Sequence, residues 1–457
     1  MITSTLTQPI ITAAQEEELF GRLGLIRQAL AVYNLHLSEV DKKQKYEKMA
    51  ASPFSFYRGT AHLFWRDFAW DWRMTEFGNY RTITWINGDC HAYNFGAYQS
   101  HKGDVIYGLN DFDESVVADY QYDLWRLAIS LVLIPNEAPA PAKKGKKPQE
   151  FPKVTIEKVL DALSESYLET LYKFADNRDA DHTAYSTKNT KNPLKKFLKK
   201  VTNKESRSNM LAEWTCQVDG QLKFDRTNPD VGEISSETYA AILQEIPAYR
   251  ATINSDINFT EGYFDVLDMV TRKNAGTGSL GSDRYYMLIK GDQTITDGQV
   301  ILDIKEQQSP SAKPFGTAAQ QAYFKQLYPN GGIRYVEAYR ALDYHPDDHL
   351  GWFKVTNKYF GIRERNPFKK SFKTNKDIKS EKEYIAMAEQ WGMILATEHS
   401  RANKVNDYAL GNAVKVLAKG KKKAFKKVVR EVAMGYAIVV HADFELFVNQ
   451  IVPSIIK

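Results

Sequence analysis

The sequence Gly88-Asp-Cys-His-Ala-Tyr-Asn-Phe-Gly96, followed by Asn110-Asp-Phe-Asp-Glu114, is the most informative part of the chain. Two short apolar runs, Thr82–Ile86 and Val105–Leu109, precede these polar segments and are typical of buried β-strands. Each polar segment therefore follows a predicted strand, so that carboxylate and amide side chains from both segments can meet. We interpret the two segments as parts of one polar site.

The chemistry of these side chains favours a metal and a proton acceptor. Carboxylate and amide oxygens suit Mg²⁺, which takes a few protein oxygens and leaves its other positions to phosphate and water. A remaining aspartate can accept a proton from an attacking hydroxyl. The spacing Asp-x-x-x-x-Asn followed by Asp-Phe is typical of a phosphotransferase catalytic loop and its metal aspartate. The alternative is turn chemistry, because Asp and Asn close turns routinely.

A glycine-rich segment, Gly276-Thr-Gly-Ser-Leu-Gly281, lies far downstream. A dinucleotide-binding interpretation needs a helix to open at the last glycine, but Arg284–Ile289 is aromatic and apolar and predicts a strand. A glycine-rich loop between two strands is typical of the phosphate cover of kinases, and Lys305 ends the next predicted strand, where it would reach the phosphates. A plain hairpin remains the alternative.

These motifs together resemble the bacterial "domain of unknown function 2252" family, which is grouped with kinase-like folds such as the aminoglycoside phosphotransferases. The resemblance covers about Phe54 to Arg401, most of the chain, and the cluster around the two polar segments is its most specific part. Besides those two segments it rests on Phe56–Gly59, Asp123–Ala128, Gly276–Gly281 and Asp303–Glu306, with weaker matches at Asp348–Gly351 and Gly392–Arg401.

The resemblance implies an ATP- and Mg²⁺-dependent phosphotransferase acting on a hydroxyl-bearing small molecule or protein. It implies that Asp89 is the catalytic base and that Asn94 and Asp111 are the Mg²⁺ ligands. Transfer of a nucleotidyl group needs the same ions and stays open. The nucleotide-binding residues implied are Gly276, Thr277, Gly278, Ser279, Gly281 and Lys305.

Four further residues are candidates for a supporting role. His91 is expected to orient the backbone of the catalytic loop. Asp113 and Glu114 are either additional metal-site groups or hydrogen-bonded loop residues. Arg58 either contacts phosphate or pairs with a buried carboxylate such as Asp123, and the pairing is the favoured interpretation.

The order of the motifs departs from that of ordinary kinases, in which the glycine loop and the lysine precede the catalytic loop. The predicted fold class is therefore α+β, a two-lobed kinase-like fold that is circularly permuted, with a mostly helical large lobe and a small antiparallel β lobe. The helix Glu383–Arg401 would lead towards the catalytic loop. No glutamate partner of Lys305 is assigned, since Glu306 is expected on the opposite strand face and Glu337 lies in a predicted strand.

The predicted organisation has four parts. Residues 1–134 carry the catalytic loop, residues 135–258 form a linker and helical insertion, residues 259–360 form the β lobe, and residues 361–457 complete the large lobe with helices. The Pro- and Lys-rich segment Pro135–Pro152 is the predicted linker. Tight turns are expected at Gly291-Asp292 and Asp297-Gly298, and Trp65, Trp70 and Trp72 are expected to pack in an aromatic core.

Composition sets the remaining limits. The chain has 457 residues with 61 basic and 56 acidic side chains, so its net charge of +5 suits an anionic ligand without requiring nucleic acid. Two cysteines exclude a disulfide framework and indicate a cytoplasmic protein, and neither a signal peptide nor a membrane span is predicted. Two alternatives stay open: a non-catalytic nucleotide sensor, and a nucleic-acid or anionic-surface binder that uses the lysine-rich segments 188–204 and 414–430.

Overall fold

The computed structural model describes residues 13–100, 102–136, 151–175, 179–273, 281–402 and 409–455. Four predicted nucleotide-binding residues, Gly276, Thr277, Gly278 and Ser279, lie outside these ranges. Most of the predicted linker, residues 137–150, lies outside them as well.

The strands in these ranges are all paired antiparallel, which confirms the α+β class with antiparallel sheets. The largest sheet has six strands in the order β11-β12-β10-β9-β8-β7, and smaller sheets join β13-β2-β3, β1-β4 and β5-β6. The strands are β1 Ile83–Ile86, β2 Phe95–Gln99, β3 Val105–Leu109, β4 Val116–Asp119, β5 Thr215–Val218, β6 Gln221–Phe224, β7 Val231–Gly232, β8 Val266–Arg272, β9 Arg284–Ile289, β10 Val300–Glu306, β11 Gly351–Val355, β12 Lys358–Glu364 and β13 Lys370–Ser371.

Helices make up most of the remaining described chain. The helices are α1 Ala13–Tyr33, α2 Glu39–Met49, α3 Pro53–Gly59, α4 Ala61–Phe68, α5 Met74–Phe77, α6 Gln121–Leu133, α7 Lys153–Phe174, α8 Leu194–Lys204, α9 Arg207–Trp214, α10 Ser236–Gln244, α11 Ile246–Thr252, α12 Ala318–Leu327, α13 Gly331–Leu342, α14 Thr374–Asp377, α15 Glu381–Arg401, α16 Leu410–Ala418, α17 Lys422–Leu446 and α18 Val452–Ile455. None of the described helices is long and apolar enough to cross a bilayer.

The largest hydrophobic core lies among the helices. Helix α6 is buried on nearly every face, and α7 packs lengthwise against α15 and also contacts α16 and α17. The aromatic and aliphatic residues of α3, α4 and the small strands β1 to β4 join the same core. The motif-bearing strands β1 to β3 are thus held against the most rigid part of the molecule.

The six-stranded sheet has a separate core on each face. Side chains such as Leu302 and Ile304 of β10 pack with Ile242 of α10 and Tyr249 of α11 on one face. The opposite face carries Ile301, packed with residues of α9. Because side chains alternate along a strand, Asp303 and Lys305 lie on the same face as Ile301. That face, unlike the other, carries charged groups in the middle of a central strand.

Several local predictions are confirmed and others are wrong. The three strands predicted between residues 264 and 305 are β8, β9 and β10, and their second connection turns at Gly291 and Asp297, which have φ values of 65° and 57°. Trp65 is buried, but Trp70 and Trp72 are 68% and 75% exposed, so they form no core. Strand β2 was not predicted, and Glu337 lies on helix α13 and not on a strand.

Candidate active site

One cleft collects the polar residues of both motif segments. It is lined by residues of the helices α1 to α4, of the loops around the small strands, and of the chain just after β10, and its volume is about 190 Å³. The predicted site residues that line it are Asp89, Asn94, Asp111, His91, Asp113, Glu114 and Arg58. The structure therefore brings together seven predicted residues from three segments.

The loop after β1 is anchored by a buried carboxylate on α6. Asp123 is fully buried and accepts hydrogen bonds from the backbone N–H groups of Asn87 at 2.6 Å and Gly88 at 2.9 Å. His399 of α15 lies 3.1 Å from the same carboxylate through its Nε2 atom. Gly88 has φ 79°, and a Cβ there would lie 2.1 Å from the Glu114 carbonyl oxygen, so this turn requires glycine.

Asp89 lies against a buried arginine, Arg126 of helix α6. The Nε atom of Arg126 donates to Oδ1 of Asp89 at 2.6 Å, and a second guanidinium nitrogen contacts the same oxygen. Burial raises the pKa of Asp89 to about 6, although Arg126 opposes that rise; the negative charge of Glu114 adds to it. A carboxylate with this pKa exchanges its proton near neutral pH, as a general base must.

Asn94 and His91 shape the same loop. The side-chain amide of Asn94 donates to the Asp89 backbone carbonyl at 2.7 Å, which leaves the amide oxygen as the group available to a cation. His91 is buried, and its Nε2 atom accepts a hydrogen bond of 3.3 Å from Arg58. Burial and the charge of Arg58 hold the pKa of His91 well below its usual range, so the ring is neutral.

The favoured interpretation of Arg58 was wrong. Its guanidinium contacts His91 and lies 5.8 Å and 5.7 Å from the ring centroids of Phe54 and Tyr93, whereas Asp123 is taken up by the catalytic-loop backbone and His399. Helix α3 contacts α6 through Tyr57 and Arg126, and the next residue of α3, Arg58, reaches His91 of the loop after β1. Arg58 is left with part of its guanidinium facing the cleft.

Lys305 meets the acidic segment although 192 residues separate it from Asp113. Its ammonium group contacts the carboxylate of Asp113, which also accepts a hydrogen bond of 3.2 Å from Gln307. Although burial opposes the charge, Asp113 and Asp111 raise the pKa of Lys305. Burial would raise the pKa of Asp111, but the charge of Lys305 and a hydrogen bond from Asp113 hold it below its usual range. The pKa of Asp113 is raised, by burial and by the charge of Asp111.

Neither glutamate that was considered for Lys305 is its partner. Glu306 accepts from the backbone of Asp283 and from Lys358, on the other side of the strand. Glu337 pairs with Arg340 one turn further along α13 at 2.8 Å. Among the described residues, the lysine is instead paired with a carboxylate of the catalytic segment itself.

Of the glycine-rich segment only Gly281 is described. It has φ 75°, and a Cβ there would lie 2.1 Å from a methyl carbon of Leu37, so the chain approaches the loop between α1 and α2 closely. The next residue, Ser282, lines the cleft. The segment that connects β8 to β9 therefore ends at the mouth of the cleft.

The family model described as "uncharacterized protein conserved in bacteria (DUF2252)" matches residues 40–450. The chain belongs to the DUF2252 family. No curated protein and no solved structure matches it.

The sequence did not lead us to two residues that hold the site of this DUF2252 chain in place. Asp123 and Arg126 lie three residues apart on one face of α6. Asp123 accepts from the backbone of Asn87, and Arg126 donates to the carboxylate of Asp89. A signal was present, because both are charged residues in the otherwise apolar helix Gln121–Leu133. Charges in a buried helix need partners, and a nearby loop rich in polar groups is a source of them.

A further acidic cluster in the DUF2252 chain lies outside the cleft. The atoms of Asp347, His349 and Glu364 that could bind a metal ion all lie within 4.8 Å of one another. Each is already engaged: Asp347 accepts from the ring and backbone of His349, and Glu364 pairs with Arg207 at 2.6 Å. We interpret this cluster as a structural network that joins α9 to the end of β12.

Proposed function

We propose that this protein is an ATP- and Mg²⁺-dependent kinase-like transferase of phosphorus-containing groups to a hydroxyl-bearing acceptor. The observation that carries the proposal is the contact between Lys305 of β10 and the acidic pair Asp111 and Asp113. A strand-borne lysine beside metal-binding carboxylates is the arrangement that positions and neutralises a triphosphate.

Three consecutive strands support the proposal. Strands β8, β9 and β10 pair antiparallel in that order; the connection between the first two carries Gly276–Gly281, and the third carries Lys305. In protein kinases the glycine-rich loop precedes a lysine on the third strand. Gly276, Thr277, Gly278, Ser279 and Gly281 remain proposed nucleotide-binding residues on this basis.

The proposed roles follow from the contacts at the cleft. The oxygens of Asp111 and Asn94 would hold Mg²⁺, which neutralises phosphate charge when bound. Lys305 would contact the phosphates, and Asp113 keeps its ammonium group in place. Asp89, oriented by Arg126, would accept the acceptor's hydroxyl proton. The neutral ring of His91 holds the loop and takes no part in proton transfer.

The reversed order of the motifs fits a circular permutation. Arg22 of α1 contacts Asp443 of α17, with 2.8 Å between Nε and Oδ1, and Arg27 donates to the Gln450 carbonyl at 3.1 Å. Helix α1 therefore packs against α17 and the turn that follows it, which brings together parts of the chain near its two described ends, as a circular permutation requires. Helix α15 ends beside the catalytic loop, since His399 contacts the carboxylate that holds it.

The nucleic-acid alternative is disfavoured by ion pairs on the basic helix. Lys422 and Lys426 of α17 lie 2.5 Å and 2.7 Å from the carboxylate of Glu165 on α7, and Arg430 lies 3.4 Å from Asp161. Three of the eight basic side chains in the segment 414–430 thus pair with carboxylates of α7. A polyanion would have to compete with these carboxylates.

The test measures nucleotide binding and turnover in the full chain. We expect ATP with Mg²⁺ to raise the melting temperature and this shift to disappear in Asp111→Ala, because the cation loses a ligand. We expect Asp89→Asn to bind ATP but to lower ATP consumption by about 10²- to 10⁴-fold. Asp104→Ala, which changes an exposed carboxylate, is the control. Absence of any nucleotide-dependent shift in the wild-type chain contradicts the proposal.

A further inference from the structure

A second cavity lies beneath the face of the six-stranded sheet that carries Lys305. Its walls come from β9, β10, the end of β12 and the chain that follows it, the chain between α8 and α9, and α9 itself. Five basic and three acidic side chains line it. We name it the basic pocket after its five cations, Arg284, Arg363, Arg365, Lys369 and Lys370.

The basic pocket adjoins the proposed metal site. Arg284 is the cross-strand neighbour of Lys305, and Arg363 is that of Asp303, so their side chains share one sheet face. The ammonium group of Lys305 in turn contacts Asp113, which lines the cleft. The basic pocket therefore begins one strand away from the lysine that reaches the cleft.

Only part of the positive charge is compensated. Arg284 forms a two-point ion pair with Asp303, with 2.7 Å between Nε and Oδ1, and Lys370 lies 3.2 Å from Glu205. Arg363 and Arg365 lie over the rings of Tyr339 and Trp214 instead. In the described part of the chain no carboxylate forms an ion pair with Arg363, Arg365 or Lys369. Guanidinium groups without a direct ion-pair partner in a recess are typical of a phosphate site.

The same walls suit a purine poorly. Pockets for flat organic groups are lined mainly by apolar side chains, with few polar groups. In kinase strands of the type Val-Ala-Ile-Lys, alanine lies two residues before the lysine, but here that position is Asp303, paired with Arg284. At the other end of the cleft, Tyr33 stacks on His62 with 4.1 Å between ring centroids, and an aromatic surface of this kind can receive a base.

We infer that the basic pocket receives the β- and γ-phosphates of the donor, so that its α-phosphorus faces Asp89 and the transferred group is a nucleotidyl group. This inference rests on the proposed function. The acceptor oxygen bonds to the α-phosphorus while the bond from that phosphorus to the αβ-bridging oxygen breaks. Pyrophosphate leaves with the bonding electrons into the basic pocket, and the hydroxyl proton passes to Asp89.

Two measurements test the inference. With water as acceptor, the full chain with Mg²⁺ and ATP should release AMP and pyrophosphate; release of ADP and phosphate overturns it. In calorimetry, magnesium pyrophosphate should bind the wild-type chain and bind Arg363→Gln about tenfold more weakly, because a charge-assisted contact is lost. The exposed Lys369→Gln gives the same readout if the first variant fails to fold, and the exposed Lys325→Gln serves as control.

The outcomes separate this inference from the proposed function. A folded wild-type chain that binds neither ATP nor pyrophosphate contradicts the proposed function itself. A chain that binds ATP but fails to bind pyrophosphate, or binds it equally well in both pocket variants, contradicts only the seating of the phosphates inferred here.

Discussion

At the scale of single residues, the site depends on how burial and neighbouring charges set proton affinities. Asp89, Asp111 and Asp113 are all aspartates within 24 residues of one another, yet the pKa of Asp111 is lowered and those of the other two are raised. Burial raises the pKa of all three carboxyl groups. At Asp111 the charge of Lys305 and a hydrogen bond from Asp113 outweigh burial, whereas at Asp113 the charge of Asp111 adds to it; Lys305 is not among the main influences on Asp89. One carboxylate is thereby kept ionised for a cation, and another is poised to take a proton.

The pH dependence of turnover should report Asp89. Its pKa is about 6, raised from 3.8, so its basic form predominates above pH 6 and is lost below it. We expect the rate of ATP turnover to reach half its maximum near pH 6 and to fall about tenfold for each further unit of acidity.

A second variant makes this prediction specific. Because the charge of Glu114 raises the pKa of Asp89, Glu114→Gln should move the midpoint of the profile to lower pH. Rates would be measured from pH 4.5 to pH 9 at saturating ATP and Mg²⁺. A profile that stays flat to pH 5, or a midpoint that rises in Glu114→Gln, is incompatible with Asp89 as the titrating base.

At the scale of elements, helix α6 holds the loop after β1 in place. It presents Asp123 to the backbone of the loop after β1 and Arg126 to the carboxylate of Asp89. Both side chains are fully buried, and His399 of α15 completes the contacts of Asp123. The loop is therefore tied to two core helices, so that its short turn keeps one geometry.

Removal of the Asp123 carboxylate should unfold the chain more readily. Asp123→Ala leaves two backbone N–H groups and His399 without their acceptor, and we expect the free energy of unfolding to fall by about 3 kcal/mol or more. Urea denaturation followed by circular dichroism measures the change. Asp104→Ala removes an exposed carboxylate that lies 3.3 Å from Lys188 and should cost less than about 1 kcal/mol. Equal losses in the two variants contradict the anchoring role.

At the scale of the whole molecule, two distant parts of the chain build one site. The ion pair between Lys305 and Asp113 joins the six-stranded sheet to the loop that follows β3. A hydrogen bond of 2.6 Å from the Ser311 backbone to Glu114 adds a second link. Arg22 ties the N-terminal helix to both Asp67 and Asp443. Contacts between distant parts of the chain thus hold both the site and the helices around it together.

A circular permutant tests this organisation. We propose to join the termini by a flexible Gly/Ser linker and to open the chain within residues 137–150, so that the glycine segment and Lys305 precede Asp89. Because helices α1 and α17 already pack together, the permutant should fold with a melting temperature within about 5 °C of the wild type. A control opened between Leu163 and Ser164, inside the buried stretch of α7, should not fold. An insoluble or unfolded first permutant contradicts the proposed relationship of the termini.

Much of the fold was predictable where the pattern was local. The helices α6, α7 and α15 and the strands β8 to β10 follow from apolar periodicity, and the turn at Gly291 follows from its sequence. The strand β2 was missed because it begins at Phe95, directly after the Asp-x-x-x-x-Asn motif, so that the polar motif obscures its start. The prediction that Trp70 and Trp72 pack in the core was wrong, because aromatic composition does not show which side of a short segment faces the core.

The sequence by itself predicted which polar groups form the candidate site, because Asp89, Asn94 and Asp111 lie in two short segments with the spacing of a known motif. Only the tertiary structure decided which groups act on them. Arg126 on Asp89, Asp113 on Lys305 and the cations of the basic pocket are contacts between side chains far apart in the chain. Such contacts depend on how helices and sheets pack, and packing distances are not written in any local pattern of residues.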